Sequence, residues 1–211
     1  IYMRSLLSSK DQRQLKLMEL LIQNRDWMRL YELADKLDCT ERVLKNDLNE
    51  LRSSFPNIDI QSSVNGIMID LDIEASFEDV YQHFLANSQS FQLLEYMFFN
   101  EGLPIYRTIE NLHSSNANLY RLGNRITQIL SKQFHIELSF TPSEIKGNEI
   151  DIRYFYAQYF AERYYFLDWP FPDIPEDVLT EFADFFYKIT NYPMRFSIYR
   201  MYKLMVAINI Y

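Results

Sequence analysis

"LADKLDCTERVLKNDLNEL", Leu33 to Leu51, decides how the chain is read. It predicts two short helices hinged at Asp38-Cys39, with Thr40 standing where the second helix needs an N-cap. Upstream, "KDQRQLKLMELLIQN" places Leu15, Met18, Leu21 and Ile22 at helical spacing. Downstream, "IDIQSSVNGIMIDL", Ile58 to Leu71, sets Asn65-Gly66 between two alternating segments, the favoured sequence for a tight hairpin. Helix, helix, turn, helix, hairpin is the order of a winged helix-turn-helix.

The same order recurs. "SFQLLEYMFFN" runs to Gly102, "PIYRTIENL" follows with Pro104 preset for a first helical turn, and "SNANLYRLGNRITQILSKQF" predicts the long third helix. In "IELSFTPSEIKGNEIDI", Ile136 to Ile152, Gly147-Asn148 predicts the hairpin turn, with a looser connection through Pro142. Leu37 corresponds to Leu112, Thr40 to Ser115, Leu44 to Leu119 and Leu51 to Ile126, all at one offset. A connecting helix is expected around Phe77 to Leu85. Beyond Ile152 the run "RYFYAQYFAERYYFLDWPFP" turns aromatic, and two further helical patterns follow on either side of Pro193. The expectation is therefore mainly α with small β-hairpin wings. Residues 10–73 and 91–152 would form two tandem winged helix-turn-helix domains, joined by a helix at 74–90, and 153–211 would open an all-α domain.

Lys and Arg total 21 against 29 Asp and Glu, a formal net charge of -8, so any nucleic-acid site must be local. Cys39 stands alone and no apolar run is long enough to span a bilayer or direct secretion, which leads to the expectation of a cytoplasmic protein with no membrane partner. The apolar run to Tyr211 lacks a helix stop, so the chain reads as the N-terminal part of something longer. His83, His113 and His135 are scattered, and neither a phosphate-cradling glycine loop nor a nucleophile elbow occurs. No enzyme, cofactor or metal is expected. The aromatic run Tyr154 to Phe166 lacks interleaved bases and predicts packing rather than base stacking.

At about 100° per residue, Leu44, Leu48, Leu51 and Phe55 form one inward stripe. Arg42, Lys45, Asn46, Asn49, Arg52 and Ser53 fall opposite, with Glu41, Asp47 and Glu50 on the flanks. Arg and Lys reach guanine O6 and N7, and Asn pairs in two places with adenine, so this face suits a major groove. In the second unit Leu119, Leu122, Ile126 and Leu130 point inward, while Tyr120, Arg121, Asn124, Arg125, Gln128 and Lys132 point outward. No Asp or Glu occurs from Asn111 through Ile136, the clearest basic footprint in an acidic chain. Double-stranded DNA is the expected partner. Gly123, inside this helix, predicts close packing against a neighbour.

These residues resemble the Mga and AtxA-like transcription regulators of Gram-positive bacteria. The likeness rests on the tandem units, on "NLYRLGNRITQIL" as a recognition segment, and on "IKGNEIDIRYFYAQYFAERYYFLDWPF" across the junction into the next domain. "LADKLDCTERVLKNDLNEL" is less specific, being similar to many bacterial regulators. The resemblance implies a DNA-binding regulator, usually an activator of virulence or surface genes. It also implies phosphotransferase-system regulation domains, whose start alone would lie here, and homodimerisation through parts beyond residue 211. Phosphotransferase-system proteins would act on those later parts through histidines, and this chain has none after His135. Asn118, which joins the expected contact set, replaces the family's frequent Thr, and Gly123 a bulkier residue. Two other readings compete. A protein-interaction scaffold would use the same polar faces without DNA, and an RNA-binding antiterminator would begin with a small β-rich domain that nothing here resembles.

Overall fold

The structure, a computed structural model, describes residues 3–70, 76–165, 168–191 and 195–211. Leu71, the join placed at 73–74, Phe166 and Pro193 lie outside the described residues. The chain divides into two compact units that part between Ser88 and Gln89.

In the first unit a 3-10 turn, Met3–Leu6, leads to α1 (Ser9–Asn24), α2 (Leu30–Lys36) and α3 (Glu41–Ser54). A hairpin of β1 (Asp59–Ser63) and β2 (Gly66–Asp70) follows, then α4 (Phe77–Asn87). Local chemistry sets the boundaries. Ser8 caps α1 by accepting from the Asp11 amide, and Arg25, at φ 51, ends it in the left-handed region. The antiparallel hairpin turns one residue earlier than expected, at Val64-Asn65; Gly66 pairs with Ser63 as the first residue of β2, where its φ of 128 suits only glycine. Leu15, Met18, Leu21, Leu44, Leu48 and Leu51 are buried together with Ile60, Ile67 and Ile69 of the wing. Met28 adds a third strand position, exchanging both backbone bonds with Ile67 at 2.9 and 2.8 Å. The α4 helix is more than a connector. A reciprocal Ser76–Asp79 capping box starts it, it packs on α1, and His83 and Phe84 meet the Phe55 ring at 4.6 and 6.0 Å.

The second unit contains α5 (Gln89–Phe99), α6 (Ile105–Asn111), α7 (Asn116–Phe134), β3 (Glu137–Phe140) and β4 (Ser143–Lys146). It continues with α8 (Glu149–Arg163), α9 (Glu176–Thr190) and α10 (Phe196–Ile210). Pro104 is the N-cap of α6 rather than its first residue. Gly102 and Leu103 pair with Ser143 at 2.8 and 3.3 Å, the counterpart of the Met28–Ile67 bridge. One expectation is corrected. The second hairpin turns at Thr141-Pro142, a cis peptide, and not at Gly147-Asn148. Gly147 passes so close to Ile136 that a Cβ would lie 2.7 Å from its Cγ2, and the Asn148 side chain caps α8 by accepting from the Ile150 amide. "EIDI" is therefore the first turn of a helix, not a returning strand.

The α8 helix carries the aromatic run into the core of this unit. Phe155, Tyr156, Tyr159 and Phe160 are buried. The Tyr156 hydroxyl donates to the Leu94 carbonyl at 2.9 Å, and Tyr159 reaches the Phe91 carbonyl at 2.8 Å and the Glu95 carboxylate at 3.0 Å, all on α5. The composition shift at 153 thus falls inside a packed helix. Burial, reinforced by Glu101 and Glu95 for Tyr156 and by Glu95 for Tyr159, pushes both hydroxyls well above their ordinary range. A proton held more tightly in the folded state makes stability complete below the unfolded tyrosine value of about 10 and lets it fall as pH rises further. In an alkaline absorbance titration Tyr156 and Tyr159 are expected to ionise only as the unit unfolds. A Tyr156→Phe, Tyr159→Phe variant then shows a smaller phenolate amplitude in that transition, and ionisation of both before unfolding would contradict the burial argument.

Candidate nucleic-acid interface

Two helix-turn-helix elements place the expected contact residues, and their backbones match position by position. Asp38 and His113 take φ values of 49 and 47. Cys39 donates to Ala34 at 3.0 Å and Ser114 to Ile109 at 3.1 Å, while Leu37 bonds Leu33 as Leu112 bonds Thr108. Thr40 caps α3 by accepting from the Val43 amide, and Ser115 caps α7 by accepting from Asn118. The offset seen in the leucines is therefore a repeat of hydrogen-bonded geometry.

On α3, Arg42, Lys45, Asn46 and Asn49 are exposed and share one face at helical spacing. Arg52 sits at its edge and turns to the wing. Its Nε donates to the Ile60 carbonyl at 3.0 Å and its Nη2 to the Ser62 hydroxyl at 2.5 Å, with Asn49 Oδ1 at 3.4 Å from Nη1. Arg52 braces the hairpin. The flanking acids Asp47 and Glu50 are neutralised by α1. Asp47, 2% exposed, accepts from Arg13 at 2.6 and 3.1 Å and from Gln14 at 3.0 Å. Lys10 and then Gln14 bond Glu50 and hold its carboxyl below the usual range. A basic and amide face is left outward, with Glu41 in the first turn, where the helix dipole favours it.

On α7, Tyr120, Arg121, Asn124 and Gln128 are exposed. Asn118 is half-buried at the helix start; its Nδ2 donates to Ser114 at 2.9 Å and its Oδ1 accepts from Arg121 at 2.8 Å. Arg125 is half-buried, and its Nη2 donates at 2.6 Å to the hydroxyl of buried Ser90 on α5. It occupies the position that Glu50 holds in the first unit, and both positions face the unit's first helix. Thr127, the counterpart of Arg52, braces its own wing by accepting from the Leu138 amide at 2.9 Å. Gly123 admits the Phe140 ring of β3, which a Cβ would approach to 2.4 Å, and Tyr120 meets that ring edge-on at 5.3 Å.

Spacing rules grouped Arg42, Lys45, Asn46 and Asn49 with Tyr120, Arg121, Asn124 and Gln128 on outward faces, and there the structure places them. Arg52 and Arg125 are instead anchors within their units. The Asp47–Arg13 pair was missed; its signal is the spacing of Lys10, Arg13 and Gln14, which repeats at three and four residues opposite Asp47 and Glu50. Wing 1 adds an exposed tip, where Val64 is 91% exposed and its carbonyl accepts from Arg29 at 3.1 Å.

Fold and site define a tandem winged helix-turn-helix protein. The family model of the M protein trans-acting positive regulator (MGA) HTH domain matches residues 8–67, that of the Mga helix-turn-helix domain residues 74–160, and that of the MGA PRD domain residues 175–211. The chain belongs to the Mga/AtxA-like family of transcription regulators. It is 44% identical over 209 residues to a protein of Streptococcus pneumoniae serotype 4 described as a trans-acting regulator, covering 99% of this chain and 42% of that one. In Bacillus anthracis it is similar to the anthrax toxin expression trans-acting positive regulator, at 28% identity over 193 residues (89% and 39% of the two chains). A second protein of that organism, the capsule synthesis positive regulator AcpA, is 22% identical over 175 residues (82% and 36%). The chain thus spans less than half the length of these relatives. No helix among the described residues is long and apolar enough to cross a membrane.

Proposed function

We propose that the chain binds double-stranded DNA in a sequence-specific manner through the outward faces of α3 and α7, as the reading part of a cytoplasmic transcription activator. One observation carries this: two geometrically equivalent capped helices each turn amides and bases outward, with no acid on α7 and, on α3, Asp47 and Glu50 neutralised from behind and Glu41 kept to the first turn. Relatives named as positive regulators support the activator assignment. The proposal extends to regulation. Starting from α9, within the stretch that matches the PRD domain, a phosphotransferase-system regulation domain would pass control from that system's proteins, with homodimerisation through later parts. Phe182, Phe185, Ile189, Ile198 and Ile210 leave an exposed apolar surface on α9 and α10 suited to further packing.

If Arg121 meets a phosphate, Arg121→Ala is expected to lower the log-log salt slope of binding by about 0.9, whatever the DNA sequence. Arg125→Ala is expected to leave that slope unchanged, because its guanidinium is bonded to Ser90. Equal slopes for Arg121→Ala and the parent chain would remove Arg121 from the phosphate contacts.

A further inference from the structure

Aligning the two recognition helices from their caps pairs Arg42 with Ala117, Lys45 with Tyr120, Asn46 with Arg121, Asn49 with Asn124 and Ser53 with Gln128. Across Leu33–Phe55 and Thr108–Leu130 only Leu37/Leu112, Leu44/Leu119 and Asn49/Asn124 are identical pairs. The fold requires the leucines: Leu44 and Leu119 are fully buried, and Leu37 and Leu112 close the turns. It does not require the asparagines. Both are exposed in mid-helix, where Asn costs helix stability relative to Ala, and neither caps a helix; Asn49 touches the wing brace only through Arg52 Nη1 at 3.4 Å, the longest of that guanidinium's bonds to Ile60, Ser62 and Asn49. Their neighbours one helical turn away are acid-free: Lys45, Asn46, Arg52 and Ser53 for one, Tyr120, Arg121, Thr127 and Gln128 for the other. A carboxamide held in that setting has the donor and acceptor pattern that pairs with adenine N7 and N6.

Resting on the DNA-binding reading above, we infer that Asn49 and Asn124 are the equivalent adenine-reading residues of the two units, so that the operator consists of two otherwise different half-sites sharing an adenine at the equivalent position. The unlike pairs around them, Arg42 against Ala117 and Ser53 against Gln128, make the remaining positions of the half-sites differ.

The test is selection of bound duplexes from a random pool by the full-length protein, repeated with Asn49→Ala and with Asn124→Ala. The parent protein should select one adenine in each half-site. Each variant should lose roughly 10-fold or more of the adenine preference in one half-site only, the other half-site keeping its motif and the salt dependence staying unchanged. A parent motif retained in full by both variants overturns the inference while leaving DNA binding intact. Absence of any selected motif overturns the sequence-specific reading and the inference together. Uniform weakening on all sequences would make the asparagines backbone contacts and likewise overturn it.

Discussion

Asp47→Ala is expected to destabilise the first unit by about 3 kcal/mol. The carboxylate is buried, with 3% of its side chain exposed against 24% for Arg13, and it takes two bonds from that guanidinium and one from Gln14. Removing it leaves a largely dehydrated cation without its acceptors and the Gln14 amide with Glu50 alone, so the cost is the desolvation left uncompensated rather than the value of the pair. Because Arg13 keeps some water contact, the low end of the range applies. Urea denaturation checks this: the midpoint should fall at unchanged slope, and Asp47→Asn, which keeps one acceptor, should lose less. A loss under roughly 1 kcal/mol would mean that Arg13 rehydrates freely. The consequence reaches function, since this pair fastens α3 to α1 and keeps a negative charge off the outward face.

Gly66→Ala is expected to cost on the order of 3 kcal/mol or more. Gly66 has φ 128, a conformation that L side chains rarely adopt, and a Cβ would lie 2.1 Å from the Met28 carbonyl oxygen. That oxygen accepts from Ile67, so relieving the clash breaks the bond that joins the wing to the strand before α2. Thermal unfolding should show a large fall in midpoint, and DNA affinity should drop with the wing's order. A midpoint within about 1 °C of the parent's, well inside the shift that 1 kcal/mol produces, would contradict the close approach.

Much of this architecture was legible because short-range chemistry agreed with long-range packing. Thr40 and Ser115 cap where the hydroxyls stand, and the first hairpin falls where Asn65-Gly66 announces it, shifted by one residue because Gly66 is needed in β2 for the close approach of Met28. Gly147-Asn148 looked the same and does something else, because Gly147 makes room for Ile136 at the other end of the hairpin and Asn148 caps the helix that follows. The aromatic run of α8 has too little one-sidedness for periodicity to show that it packs on α5. At the interface, helical spacing gives the direction of Cβ, which suffices for Asn49 and Asn124 but not for arginines. Arg52 and Arg125 leave their helices near the outward face and bend to Ile60 and Ser90.

The most direct test of the account is fluorescence anisotropy of a labelled random-sequence duplex titrated with the chain over a series of salt concentrations. Binding at low salt that weakens linearly with log salt is predicted, with a clear loss of affinity and a shallower slope in a Lys45→Ala, Arg121→Ala variant. No binding at the lowest salt, or binding indifferent to both substitutions, would contradict the assignment of α3 and α7 as DNA-reading helices and favour a scaffold that docks protein.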